Sequence, residues 1–169
     1  SVNYSLTEIT GPSIKTDAQS AISAISSSGS TSIGSGLQYA QSELTGKGSG
    51  IHPWAIVLLS DGYENASPYV SSVLPDIVST KTKVFTIALG SNSDQALLQD
   101  IASQTGGQYY LSPTEAELAG IYGSLSGQVA GHQTLFSEEG SAQQGATDEK
   151  TVEVDPSVKE VQFSISWSG

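Results

Sequence analysis

The feature that most constrains the fold of this chain is an uninterrupted apolar run, WAIVLL, at residues 54–59. The run follows Pro53 and is too short for most helices, so it predicts a buried strand with both faces covered, as in a parallel sheet. Ser60, Asp61 and Gly62 follow at its carboxyl end, the edge at which open α/β sheets keep their ligand sites. Asp61 is therefore the first candidate functional residue, although an aspartate at this position also suits simple capping of a turn.

Short apolar strands alternate with amphipathic helices over the first 130 residues. Strands are predicted at residues 2–6, 54–59, 84–89 and 108–111. Helices are predicted at residues 16–25, 33–44, 68–78, 94–105 and 113–129, with Pro75 expected to kink or restart the third of them. This alternation predicts a Rossmann-like α/β fold with a doubly wound, mostly parallel sheet.

The pattern changes after about residue 130. Residues 134–137, 150–154 and 161–167 have the composition of strands, and polar segments or turns separate them. Three strands rarely make a complete sandwich, so this part predicts the start of an antiparallel β-sandwich that belongs to a second domain. The predicted domains are residues 1–130 and 131–169.

The composition excludes several classes of protein. Seventeen acidic residues stand against six basic ones, a formal charge of -11, which disfavours nucleic acid and anionic membranes as partners. Cysteine is absent, so a disulfide framework and a thiolate metal site are excluded. No apolar run approaches 18 residues, so we expect no membrane insertion by this chain.

Enzyme motifs are incomplete. The glycine spacing of residues 29–34 resembles a phosphate loop, but Ser35 stands where that motif needs lysine. No stretch fits a nucleophile elbow after a strand, and neither His52 nor His132 has a neighbouring acid that could orient it. We therefore expect no enzymatic activity.

Hydroxyl groups and one carboxylate are the remaining candidates. Ser30, Thr31 and Ser32 lie in one loop, and Asp61 lies at the end of a strand. In a doubly wound sheet such loops share one edge, and oxygen donors with several waters suit a hard cation, Mg²⁺ in particular. The alternative is that the hydroxyls only cap the helix that follows them.

Two stretches at these positions resemble a known family. Residues 29–37 (GSTSIGSGL) and 58–65 (LLSDGYEN) resemble the second and third metal-site segments of von Willebrand factor type A domains. Residues 84–90 and 105–110 extend the similarity. Residues 152–155 and 163–167 resemble the segment that follows the A domain in the calcium-activated chloride channel regulator family.

The resemblance implies a metal-ion-dependent adhesion site, in which Mg²⁺, Mn²⁺ or Ca²⁺ is bound and an acidic residue of a protein partner completes the coordination. Thr31 matches the family's metal-site threonine and Asp61 its metal-site aspartate. Indirect or water-mediated contacts would come from neighbouring residues, namely Ser30, Ser32, Gly62 and Glu64. The family's first segment, D-x-S-x-S, has no match in this sequence, so we expect cation binding to be weak or absent.

The same alignment places Ser1 at the family's third strand, so the first strand, the first helix and the second strand are missing. The strand that ends at Asp61 would then lack a neighbour, and an unpaired strand edge favours association. We expect this edge to need an upstream segment, a second copy through self-association or domain swapping, or pairing with residues 2–6 or the β tail.

Two hypotheses about function follow from the resemblance. The first is a cation-dependent, adhesion-type protein-binding module of a surface or secreted protein, with Thr31 and Asp61 as ligands. The second is a structural fragment of a larger channel-regulator-like protein without a functional metal site. Either hypothesis implies an extracellular or cell-surface location.

Overall fold

A computed structural model describes residues 3–26, 29–111, 117–118, 120–122, 125, 127, 143, 145–159 and 161. The chain divides into two compact units, residues 1–113 and 114–169. The predicted domain boundary at residue 130 stays a prediction. Among the described residues, no helix has the length and apolar character needed to cross a bilayer.

The first unit contains a parallel sheet and helices that alternate with its strands. The elements are α1 (Pro12–Ser23), α2 (Ile33–Lys47), β1 (Ala55–Ser60), α3 (Val70–Ser79), β2 (Lys83–Ala88), α4 (Gln95–Thr105) and β3 (Tyr109–Leu111). The described strands lie in the order β1-β2-β3, and both pairs are parallel. Ala55 aligns with Lys83, and Thr86 with Tyr109. The predicted α/β class is confirmed.

Apolar side chains of α2, α3 and α4 form one core with the sheet. Leu37, Ile77, Val84, Leu98 and Ile101 have no exposed surface. Leu37, Ile77, Val84 and Ile101 belong to the predicted apolar stripes and strand runs. In α4 the stripe predicted from Ala96, Leu97 and Ile101 is only partly right, because Leu98 is buried and Ala96 is exposed.

Local signals fix the start of α2 and both ends of α4. The Ser32 hydroxyl accepts from the Ser35 N–H at the start of α2, and the Asp94 carboxylate caps α4. Gly106 ends α4 with a left-handed φ of 68°, as its sequence position predicts. Helix α3 begins at Val70, two residues later than predicted, and runs through Pro75 as one helix.

The N-terminal predictions need correction. Residues 3–10 contain no strand, because the N–H of Leu6 donates to the Glu43 carboxylate of α2 instead of to a sheet. Helix α1 begins at Pro12 rather than near Thr16, and it buries none of its residues. Proline suits the first helical position, because it has no backbone N–H that would need an acceptor there and its φ already fits a helix. This explains why α1 starts at Pro12.

The second unit is described only in part. The described positions from 117 to 127 are helical, as predicted, and Leu125 is buried there. The predicted strand at residues 150–154 is wrong, since these residues form no ladder in the structure. The predicted strands at 134–137 and 161–167 lie outside the described residues except for Val161, so the structure does not show the antiparallel sandwich.

Candidate metal centre

The candidate centre begins where β1 ends. Ser60 is buried, and its hydroxyl donates to the carbonyl of Gly62 at 3.1 Å. Its own carbonyl accepts from the N–H of Leu89, which follows β2, at 2.9 Å. These contacts fix a tight turn at the carboxyl end of β1 and leave Asp61 exposed at the edge of the sheet.

The loop that carries Thr31 is attached to this turn. The Thr31 N–H donates to the Asn65 side-chain oxygen at 2.8 Å, and the Thr31 carbonyl accepts from the N–H groups of Asn65 and Ala66. The Thr31 hydroxyl oxygen lies 3.6 Å from the position that a Cβ atom on Gly62 would occupy. Two loops 30 residues apart in sequence therefore meet at one rim, with the Thr31 hydroxyl in van der Waals range of the Gly62 position.

The other two hydroxyls of the loop differ in environment. Ser32 donates to the carbonyl of Pro68 at 3.1 Å and accepts from the N–H of Ser35 at 3.2 Å, so it caps α2. The alternative of simple helix capping thus describes Ser32 well. Ser30 is exposed next to Thr31.

Glu64 serves the scaffold of the rim. One carboxylate oxygen accepts from the N–H of Gly34 at 2.8 Å, and both oxygens lie 3.0–3.2 Å from the N–H of Val70. The side chain therefore satisfies unpaired donors at the starts of both α2 and α3, where a negative charge is also favoured by the helix dipoles. Its role as an indirect metal contact stays a prediction.

Sequence reasoning missed two neighbours of the rim. Asn65 holds the backbone of Thr31 from both sides, and Asp94 donates its N–H to the carbonyl of Gly62 at 3.4 Å. The carboxylate of Asp94 accepts from the N–H of Leu97 as the cap of α4. The available signal for Asp94 was its position shortly after β2, at the same edge of the sheet as Asp61.

The donors at the rim fit a hard cation that keeps much of its water. Asp61 offers an exposed carboxylate, and Thr31 offers a hydroxyl beside the same turn. The described part of the chain contains no group of three or more His, Cys, Asp or Glu side chains placed to hold a metal. Mg²⁺ is often bound through only one or two carboxylates, with water as the other ligands, so this donor set suits a weak site.

Comparisons with known proteins identify the family of the chain and one relative. The family model of the von Willebrand factor type A domain matches residues 2–124. The human protein named calcium-activated chloride channel regulator 4 is 28% identical over 148 residues, which make up 83% of this chain and 16% of that protein. The chain thus spans a small part of this relative.

Two solved structures match the chain, and one of them has a similar fold. Proximal thread matrix protein 1 from the mussel byssus matches with a TM-score of 0.58 and 20% identity, over 72% of this chain and 32% of that one. An uncharacterized membrane spanning protein from Vibrio fischeri matches at 25% identity with a TM-score of 0.41, over 58% of this chain and 56% of that one. Because the family model covers well over half of its residues, the chain belongs to the von Willebrand factor type A domain family.

Proposed function

We propose that this chain is a cation-dependent protein-binding module whose binding site is the rim formed by Thr31 and Asp61. The observation that carries the proposal is the junction of the two loops, in which the Thr31 hydroxyl approaches Gly62, next to Asp61. Domains of this family commonly bind proteins and divalent cations, and they are generally binding modules rather than enzymes.

Each residue of the rim has a distinct task in this proposal. Asp61 supplies the negative charge that attracts the cation, and Thr31 supplies a neutral oxygen. Asn65 and Glu64 hold the two loops and the following helices in place. A divalent ion bound here would supply the positive charge that an acidic partner residue needs, since the chain itself carries a formal charge of -11.

The cellular context is part of the proposal. The human relative is named as a regulator of a chloride channel, and this chain spans 16% of it. We infer an extracellular or cell-surface location for the module, in which a partner protein meets the rim from outside. A competing function is that of a structural fragment with no working metal site, favoured by the lack of any group of three or more His, Cys, Asp or Glu placed to hold a metal among the described residues.

Titration calorimetry with Mg²⁺ and Mn²⁺ separates the two functions. The wild-type chain and a control variant, Asp17→Ala, should bind the cation with the same heat, because Asp17 is an exposed residue of α1. Asp61→Ala should give no heat of binding. A wild-type chain that gives no heat with either cation would leave the structural fragment as the function of this chain.

A further inference from the structure

A polar groove of about 410 Å³ lies between α2 and α3, and neither Thr31 nor Asp61 lines it. Its volume is that of a small-molecule site. Among the described residues that line the groove, only Val73 is apolar and none is basic. The others carry amide, hydroxyl or carboxylate groups, namely Gln38, Gln41, Ser42, Thr45, Ser72, Asp76, Ser79 and Thr80.

The polar side chains form a row along each of the two helices. Residues in each row follow one another at spacings of four and then three, which places them on one helix face. The rows are Gln38, Ser42 and Thr45 on α2, and Ser72, Asp76 and Ser79 on α3. Because a helix rises 1.5 Å per residue, each row is about 10 Å long. The groove is therefore elongated and polar along both sides.

The hydroxyl groups of both rows use their protons within their own helices. Each donates to a backbone carbonyl three or four residues earlier, a common arrangement for Ser and Thr in helices. These bonds are 2.7–3.0 Å long and run from Ser42 to Gln38, from Thr45 to Gln41, from Ser72 to Tyr69 and from Ser79 to Asp76. Since a hydroxyl has one proton and two lone pairs, these groups offer only acceptors to the groove.

Gln41 shows that the floor of the groove lacks a donor. Only 8% of this residue is exposed, and its side-chain Nε2 donates to the Thr80 hydroxyl at 2.7 Å. Its Oε1 is buried and has no hydrogen-bond partner in the part of the chain that the structure describes. Buried acceptors without a donor are rare in folded proteins and destabilise them. The unmet need at this position is for an N–H or O–H group.

Asp76 adds a full negative charge to the acceptors. Its side chain is exposed, and the ion pairs between described residues do not include it. Lys81, the nearest lysine in sequence, does not line the groove. Helix α3 ends at Ser79 without a basic residue in its last turn, so the partial negative charge of its carbonyl end lies beside the same groove.

We propose that the groove between α2 and α3 binds a linear aliphatic polyamine. Protonated amines carry several N–H donors and no acceptor, which is the complement of a surface that offers acceptors almost exclusively. The ammonium groups would pair with Asp76 and the hydroxyl oxygens, and the methylene segments would pass over Val73. The formal charge of -11 attracts such a cation to the protein.

Other classes of small ligand complement the groove less well. An anion finds no basic side chain among the described lining residues. A sugar or another polyol brings as many acceptors as donors, and of the two lining amides only that of Gln38 has uncommitted N–H groups, because Gln41 binds Thr80. A monoamine has donors at one end only and would leave most of a row of about 10 Å unused.

Titration of the unmodified chain with spermidine, followed in ¹H–¹⁵N NMR spectra, tests the proposal. The shifts should saturate as a single site and should be confined to residues 38–45 and 72–80. Asp76→Asn should weaken the affinity about fivefold, the upper size of the effect for an exposed ion pair. Asp17→Asn is the matched control, because it removes the same charge from an exposed position on α1 outside the groove. It should bind spermidine like the wild type.

A second variant and two further ligands separate recognition from simple attraction of charge. Thr45→Val removes one acceptor with little change of shape, so it should weaken binding while its circular dichroism spectrum stays unchanged. Sorbitol should cause no shifts, and butylamine should bind more weakly than spermidine.

The proposal is overturned if spermidine does not bind saturably, or if its shifts spread over the acidic surface or centre on Asp61. Equal weakening by Asp17→Asn and Asp76→Asn would also overturn it, and so would equal affinity for butylamine.

Discussion

The Glu64 carboxylate makes the most consequential side-chain contacts of the rim, and its removal gives a quantitative test of the structure. The variant Glu64→Ala leaves two backbone donors, the N–H groups of Gly34 and Val70, without their acceptor. Val70 is 2% exposed and Gly34 is buried, so water reaches these donors poorly. Helices α2 and α3 both lose a cap in one substitution.

The size of the effect follows from these contacts. A hydrogen bond to a charged acceptor contributes about 1.5–3 kcal/mol to stability. If water partly replaces the carboxylate at the two donors, Glu64→Ala should lower the free energy of unfolding by about 2–4 kcal/mol. Glu64→Gln keeps one carbonyl oxygen and should lose about half as much. Because domain stabilities are typically about 5–15 kcal/mol, the Ala variant should still fold and be measurable.

Urea denaturation followed by circular dichroism measures this loss. With a slope of about 1–3 kcal/mol/M, the midpoint of Glu64→Ala should fall by about 1–2 M with the slope unchanged. Glu8→Ala is the control, because Glu8 is exposed and its removal changes the net charge equally. A loss below about 0.5 kcal/mol for Glu64→Ala, the range of ordinary surface substitutions, would refute the double-cap role.

Two further predictions concern the packing of β2 and the attachment of the N-terminal segment. A Cβ atom on Gly107 would clash with the carbonyl oxygen of Val84, so Gly107→Ala should lower the free energy of unfolding, measured by urea denaturation, by at least about 2 kcal/mol. Gly46 lies in open space on α2, so the control Gly46→Ala should not lower it. Hydrogen bonds, first that from Ser5, lower the pKa of Glu43 from 4.5 to about 2. The stability from this contact is therefore present above about pH 4.5 and is lost as the pH falls through about 2, which should appear as release of the Ser5 segment in amide NMR spectra.

Local patterns predicted most of the elements. The continuous apolar runs gave β1 and β2, and the spacing of Ile33, Leu37 and Leu44 gave α2, because each signal lies within one element. The strand at residues 2–6 failed because a strand needs a partner ladder. Its alternating pattern could not reveal that Glu43, 37 residues away from Leu6, would take the backbone N–H.

In the candidate site, too, signals within one element were predictable and contacts between distant residues were not. The rule that ligands bind at the carboxyl ends of parallel strands made Asp61 a candidate at the edge where β1 ends, and the hydroxyl-rich loop made Thr31 a candidate before the family resemblance matched it to a metal-site threonine. The contacts of Asn65 and Glu64 were not predictable, because they join residues about 30 positions apart and depend on how two loops approach each other. A carboxylate after a strand looks the same in sequence whether it binds a cation or caps helices.

Paramagnetic broadening by Mn²⁺ tests the central claim most directly, since it reports where the cation lies. In ¹H–¹⁵N spectra of the intact chain, substoichiometric Mn²⁺ should broaden the amides of Thr31, Asp61 and Gly62 first, and excess Mg²⁺ should restore them. Asp61→Ala should remove this selective broadening. Broadening that is absent from the rim, or that persists there unchanged in Asp61→Ala, would contradict a cation site built by these two loops.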